Sequence, residues 1–210
     1  MTAVYEVGAG ANPALPCEFV DRHNLDYVIM DVSASELAKA PRKYKKLNRD
    51  IMAPPTETES YDLVFSRMVA EHVTDPSLFH RRILERLSPD GVVLHFFPTL
   101  YAPGFVLNRI LPFDLSDRLL QVFQPGREPE GRHRKFPAYY NWCWGPTDRQ
   151  LQRFRHLGYR IVEYVGFFGQ PGYFGRLPML AALDRHVALV LVSHPVPSLT
   201  SYAYVVLAKR

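Results

Sequence analysis

Cysteine is nearly missing from this chain, with only Cys17 and Cys143 among 210 residues. The two lie far apart and in no Cys-x-x-Cys or Cys/His spacing. That argues against a disulfide framework or a structural zinc centre and fits a reducing compartment. No cluster with metal-ligand spacing is visible elsewhere, which disfavours a metal-assisted mechanism. Long basic tracts are lacking too: the formal charge is +4 and the Lys and Arg residues are scattered, so nucleic acid is not indicated as a partner. No basic start leads into an apolar signal core, so the expected location is cytoplasmic. The longest apolar stretch, MLAALDRHVALVLV (Met179–Val192), is interrupted by Asp184, Arg185 and His186 and is too short to span a membrane. Peripheral contact with a membrane is the most that this stretch suggests. Internal repeats and low-complexity segments are absent.

What is present is an ordinary globular balance, 47% hydrophobic and 22% charged, enough for one domain with a sizeable core. Apolar runs at Val4–Val7, Leu25–Asp31, Lys45–Asn48, Tyr61–Ser66 and VVLHFF up to Pro98 read as strands. Between them lie helical signals. Ala14–His23 reads as a short irregular helix, and Ser33 with Glu36 makes a capping box over SELAKA. Asp75 followed by Pro76 opens a helix whose apolar face is Leu78, Phe79, Ile83, Leu84 and Leu87, with Ser88–Gly91 as its stop. Thr147 and Gln150 cap a later helix that ends at Gly158, followed by strands over YRIVEYVGFF and SYAYVVLAK. This alternation predicts an α/β fold: a doubly wound, mostly parallel sheet with an antiparallel last strand. Residues 99–146 break the pattern with proline, glycine and aromatics, including Tyr101, Phe105, Tyr139, Tyr140, Trp142 and Trp144. They read as an insertion covering the substrate within a single domain over 1–210.

The stretch VYEVGAGANP (Val4–Pro13) narrows the ligand. Gly8 and Gly10 follow a strand, as in a dinucleotide loop, but Pro13 stands where the third glycine would be. Glu6 beside the turn repels a diphosphate and attracts an ammonium group. Asp31 closes the second strand about twenty residues on, where an acid accepts hydrogen bonds from ribose hydroxyls. The ligand that fits has a ribose and a cationic amino-acid end, and no phosphate.

With these motifs the chain resembles the class I S-adenosylmethionine-dependent methyltransferases, over nearly all of residues 3–98 and again over 147–210. EVGAG is similar to the family's first motif, which implies that Glu6, Gly8, Ala9 and Gly10 lie at the methionine end of S-adenosyl-L-methionine. Asp31, followed by Val32, matches the acid that binds the ribose. Asp50 and Ile51 in NRDIMAPP match the pair that contacts adenine, and Ser66 and Arg67 end the fourth-strand motif that lines the cofactor. LERLSPDGVVLHFFP resembles the helix, turn and fifth strand that follow. The family usually places a helix before its first strand, whereas here a couple of residues precede it. The start then lies upstream of Met1, or another segment or subunit supplies a lid.

Simpler readings stand beside these. Asp31 is also placed to cap the next helix, and Asp50 to solvate a loop. Asp62 opens a strand and reads as structural. His72, near the mouth of the sheet, is the candidate catalytic base, with packing as its other reading. His95 reads as a core histidine and GRHRK (Gly131–Lys135) as a solvated loop. Tyr139, Tyr140 and Trp142 are candidate substrate-binding residues, with simple core as the alternative. The function expected is methyl transfer to a small organic, apolar or aromatic acceptor. The alternatives are a cofactor-binding regulatory protein without chemistry and, disfavoured by Pro13, a nicotinamide oxidoreductase.

Overall fold

The computed structural model describes residues 2–56, 60–100, 137–170 and 177–210. Among them seven strands form one sheet: β1 (Ala3–Val7), β2 (Asp26–Asp31), β3 (Lys45–Asn48), β4 (Tyr61–Arg67), β5 (Leu87–Pro98), β6 (Tyr159–Phe167) and β7 (Tyr202–Lys209). Their order is β3-β2-β1-β4-β5-β7-β6. The pairs from β3 through β5 are parallel, and β7 runs antiparallel to both of its neighbours. The α/β architecture expected from the sequence is the one observed. The chain crosses over from β3 back past β1 to β4, so the ends of β1 and β4 diverge at a switch point where open α/β sheets bind ligands.

Among the described residues the helices are α1 (Cys17–Arg22), α2 (Ala34–Lys39), α3 (Pro76–Arg86), α4 (Asp148–His156) and α5 (Pro178–Ser193), with single 3-10 turns at Ala70–His72 and Pro197–Leu199. Three of them start on the caps read from sequence. The Ser33 side chain accepts from Glu36 N, that of Asp75 from Leu78 N, and that of Thr147 from Gln150 N. Each accepts one of the N–H groups that a helix start leaves unpaired.

Strand alternation divides the core between the two sheet faces. Tyr5, Val7, Val28, Met30, Val64 and Val93 pack with Phe79 and Ile83 of α3 and Phe154 of α4. Val4, Tyr27, Ile29 and Phe65 pack with Leu37 of α2 on the other face. Asp62 is structural, as expected, since its carboxylate accepts from Ala3 N at 2.9 Å and Ser88 Oγ at 3.1 Å.

Two local features differ from the sequence reading. Ser88–Gly91 is not a stop between helix and strand: β5 begins at Leu87 opposite Tyr61, and the pairing shifts before Leu63 meets Val92. The extra residues bulge out of the ladder, as a turn-rich sequence inside a paired strand must. Met179–Val192 lies in a regular helix, α5, which the sequence reading had not placed among the elements.

Candidate functional site

The glycine loop leaves β1 in a left-handed conformation, with φ of +71° at Gly8 and +53° at Gly10. Side chains other than glycine are strained there. The N–H groups of Gly8 and Ala9 both donate to the Met30 carbonyl, at 2.8 and 3.0 Å, which ties the loop to the end of β2. A Cβ on Gly8 would come within 2.4 Å of Val69 Cγ2. Glycine is needed here both for the turn and for the closeness of the next strand's end. Ala9 is buried in the opposite core face, and Gly10 sits by Asp31, whose Oδ2 would be 3.5 Å from an added Cβ.

Glu6 is buried. Its carboxylate accepts Ala14 N at 2.9 Å and the hydroxyl of Tyr27. Burial pushes its pKa up, and the bonds from Tyr27 and Ala14 together with the Arg67 charge oppose that shift. The residue thus closes the far end of the loop, a role its position in the motif does not reveal.

Asp31 lies at the C-terminal end of β2, with Oδ1 accepting Ser33 N at 2.8 Å. Asp50 turns back onto its own loop, where Oδ1 accepts Met52 N at 2.9 Å. Ile51, next to it, is buried and faces inward. Of the two acids, Asp31 borders the cavity described below and Asp50 does not.

At the end of β4, Ser66 and Arg67 point to opposite sides. The Ser66 Oγ is buried, 2.7 Å from His95 Nδ1, and Arg67 Nη2 donates to the Asn12 carbonyl at 3.0 Å, bracing the glycine loop. Met68 follows with φ of +57°, then Val69 and the 3-10 turn carrying Glu71 and His72. The ring of His72 places Nδ1 2.7 Å from the Pro137 carbonyl and Nε2 3.8 Å from Glu71 Oε1. Burial lowers the His72 pKa, with the Pro137 bond opposing, so the imidazole is neutral near pH 7. Glu71 is buried, its Oε2 has no hydrogen-bond partner among the described residues, and burial pushes its pKa up to about 8.

These elements enclose a cavity of about 400 Å³. One wall is Val7, Gly8, Met30, Asp31, Val32 and Ile51; the other is Met68, Val69, His72, Thr74, Pro137 and Tyr139. Its size is that of a small-molecule site. The structure thus brings together Gly8, Asp31, Val32, Ile51, His72 and Tyr139 from the sequence-derived candidates. Glu6, Ala9, Gly10, Asp50, Ser66 and Arg67 do not line it.

The returning end of the insertion is pinned across this cavity. Tyr139 N and Tyr140 N both donate to the Glu71 carbonyl, at 2.7 and 3.0 Å, and Asn141 Nδ2 donates to the Thr74 carbonyl. Tyr139 is set at the cavity by these bonds, whereas Tyr140 is buried in the core and Trp142 stacks on His80, 6.0 Å between ring centres. Tyr140 and Trp142 are therefore not cavity walls, because the chain bends inward after Tyr139. Tyr101, Phe105 and the GRHRK run lie outside the described residues.

The sequence reading missed two contributors. Arg86 is fully buried at the end of α3, where Nη2 donates to the Ala53 carbonyl at 2.8 Å and Nη1 to the Arg82 carbonyl at 2.8 Å. It fixes the loop that carries Ile51. A cation three residues after Ile83, on a helix face otherwise filled by Phe79 and Ile83, was the available signal. Val69 packs on Gly8, and nothing in its local sequence marks it.

Residues 5–95 match a family model described as a methyltransferase domain. No curated protein matches the chain by sequence. A methyltransferase structure from Mesorhizobium loti, described as S-adenosylmethionine dependent, is 18% identical over 99% of this chain and 90% of its own, with a TM-score of 0.57. A putative methyltransferase from Listeria monocytogenes, also described as S-adenosylmethionine dependent, is 13% identical over 100% and 90%, with a TM-score of 0.58. The phosphoethanolamine N-methyltransferase 2 of Haemonchus contortus, solved with S-adenosyl-L-methionine, is 14% identical over 99% of this chain and 48% of its own, with a TM-score of 0.58. Residues 5–95 thus match a methyltransferase domain, and the chain shares the fold of these S-adenosylmethionine-dependent methyltransferase structures.

Proposed function

We propose that the protein transfers a methyl group from S-adenosyl-L-methionine to a small organic acceptor of largely apolar or aromatic character. One observation carries this reading: a single cavity is bounded by the glycine loop and Asp31 on one side and by His72 and Tyr139 on the other. The residues present fit the cofactor. A Cβ-free backbone at Gly8 clears the end of β4, and the Asp31 carboxylate borders the cavity where ribose hydroxyls can donate to it. When bound, S-adenosylmethionine supplies a methyl group already activated by its sulfonium. The chain's task is then mainly alignment, which can contribute about 7–11 kcal/mol to lowering a barrier. Asp31, Val32 and Ile51 hold the cofactor's nucleoside end and the glycine loop its methionine end. Tyr139 walls the acceptor, in a single domain whose segment 99–146 covers the substrate. A hydroxyl acceptor needs a proton acceptor, and neutral His72 fills that place.

Binding without transfer is a second reading, favoured by the engagement of His72 Nδ1 with Pro137 rather than with the cavity. Calorimetry with S-adenosylmethionine, followed by turnover against a panel of phenols, quinols and amines, separates the two. Absence of cofactor binding removes both. Tight binding with no product across the panel favours the second. An apolar acceptor of this kind partitions into membranes, which suits a protein working at a bilayer surface.

A further inference from the structure

Helix α5 is built inside out for a protein surrounded by water. It is 16 residues long and none of them is buried. Its half-buried stripe is Ala181, Asp184, Ala188 and Leu191, the positions that recur on one side of a helix. On that stripe Asp184 accepts Gln170 N at 2.8 Å, and a Cβ on Gly169 would lie 3.0 Å from Ala188 Cβ. The large apolar side chains point the other way: Met179 is 87% exposed, Leu183 59% and Leu189 62%. Flanking Leu177, Val196 and Leu199 are exposed as well. A helix apolar around most of its girth belongs in a core or in lipid, and contiguous exposed apolar surface marks an interaction site.

Three observations select lipid as the occupant. Sixteen residues make about 24 Å of helix, short of the roughly 30 Å hydrocarbon core, so α5 suits the plane of an interface and not a crossing. Among the described residues no helix is long and apolar enough to cross a membrane. Charge is the second observation. Asp184 is the one acid between Tyr164 and Arg210, and it is tied inward to Gln170, so α5 shows anionic headgroups no free carboxylate. Arg185 and His186 are exposed on the helix instead. Position is the third. β6 ends and β7 begins beside each other, with Tyr202 opposite Phe167 on one side and Pro98 on the other, at the sheet edge where β4 delivers Arg67. The excursion carrying α5 therefore leaves and re-enters the sheet at the edge bearing the cavity.

We propose that α5 seats the protein on a phospholipid membrane, lying in the interface with Met179, Leu183, Leu189 and Val190 at the acyl boundary. The cavity edge then faces lipid, and an apolar acceptor reaches it without crossing water. This docking does not depend on which acceptor is methylated. The test is flotation of the full chain with vesicles of phosphatidylcholine mixed with phosphatidylglycerol, alongside the variant carrying Leu183→Asp and Leu189→Asp. The wild-type chain floats with the vesicles, and the variant's bound fraction falls about ten-fold. Circular dichroism and S-adenosylmethionine affinity stay unchanged in the variant, since both residues are exposed; that control separates failed docking from a failed cofactor site. Wild-type chain that stays with the unbound fraction, or a folded variant that floats equally, overturns the proposal. So does a dimer in sedimentation that the two substitutions split while vesicles bind neither form; α5 then belongs to an interface between copies.

Discussion

The Nδ1 atom of His72 lies 2.7 Å from the carbonyl oxygen of Pro137. A carbonyl only accepts, so Nδ1 carries the proton and the lone pair of the neutral ring is on Nε2. The tautomer is thereby set by the segment that returns from the insertion. Because burial lowers the His72 pKa, protonation switches the ring off only below the ordinary range near 6.5. For a hydroxyl acceptor, kcat is expected to fall on the acid side with an apparent pKa below that range. His72→Gln should remove this limb and about 10²- to 10⁴-fold of kcat. An acid limb that persists in the variant assigns the titration to another group and takes His72 out of the chemistry.

Asp31 and Asp50 stand at the ends of neighbouring strands, and the cavity distinguishes them. Asp31→Ala should weaken S-adenosylmethionine binding by about 1.5–3 kcal/mol, the range for hydrogen bonds to a charged group. Asp50→Ala, whose Oδ1 serves Met52 N, should change it by less than about 0.5 kcal/mol. Calorimetry on the two folded variants checks the pair. Equal losses would restore Asp50 to the cofactor site.

Much of this site was legible because it is written in local rules. Helix caps at Ser33, Asp75 and Thr147, glycines at positive φ and an acid closing β2 each impose their residue type on a short window. What stayed hidden depends on strands far apart in sequence. Glu6 reads as a ligand for an ammonium group, and only the approach of Tyr27 and Ala14 shows that it holds the loop. Tyr140 and Trp142 read like Tyr139, yet the backbone has φ of +53° and +62° at those two residues and turns them inward. Arg86 is assigned by the carbonyls of a loop more than thirty residues away.

Stability should depend on pH through three buried groups with opposite signs. Burial holds Glu71 protonated, with its pKa pushed up to about 8. The folded state then binds more protons than the unfolded one above the usual 4.5, so stability present at pH 4.5 is lost as pH rises toward 8. Burial lowers His95 to about 3 and His80 well below its usual value, with the His95 charge adding to the effect on His80. There the unfolded state binds more protons, so stability is full above about 6.5 and is lost as pH falls below it. Urea unfolding across pH should show both slopes. Glu71→Gln keeps the shape and removes the charge, and it should flatten the curve between pH 4.5 and 8. An unchanged slope in that variant means that Glu71 does not carry it.

Gly8 serves both the cofactor site and the fold, since it lines the cavity and lies against Val69. Alanine there must hold φ near +71°, a left-handed conformation costing about 1–2 kcal/mol. Its Cβ must also displace Val69 Cγ2, which lies 2.4 Å from that point. Valine has few rotamers to retreat into. Gly8→Ala is therefore expected to destabilise the protein by about 2–4 kcal/mol and to weaken cofactor binding at least about ten-fold. Val69→Ala relieves the contact but not the backbone strain, so the double variant should recover part of the loss, with a coupling of about 0.5–3 kcal/mol. Denaturant melts of the four proteins in the cycle measure that coupling. Simple additivity would mean that Val69 moves aside without cost, leaving backbone strain as the whole reason for glycine at this position.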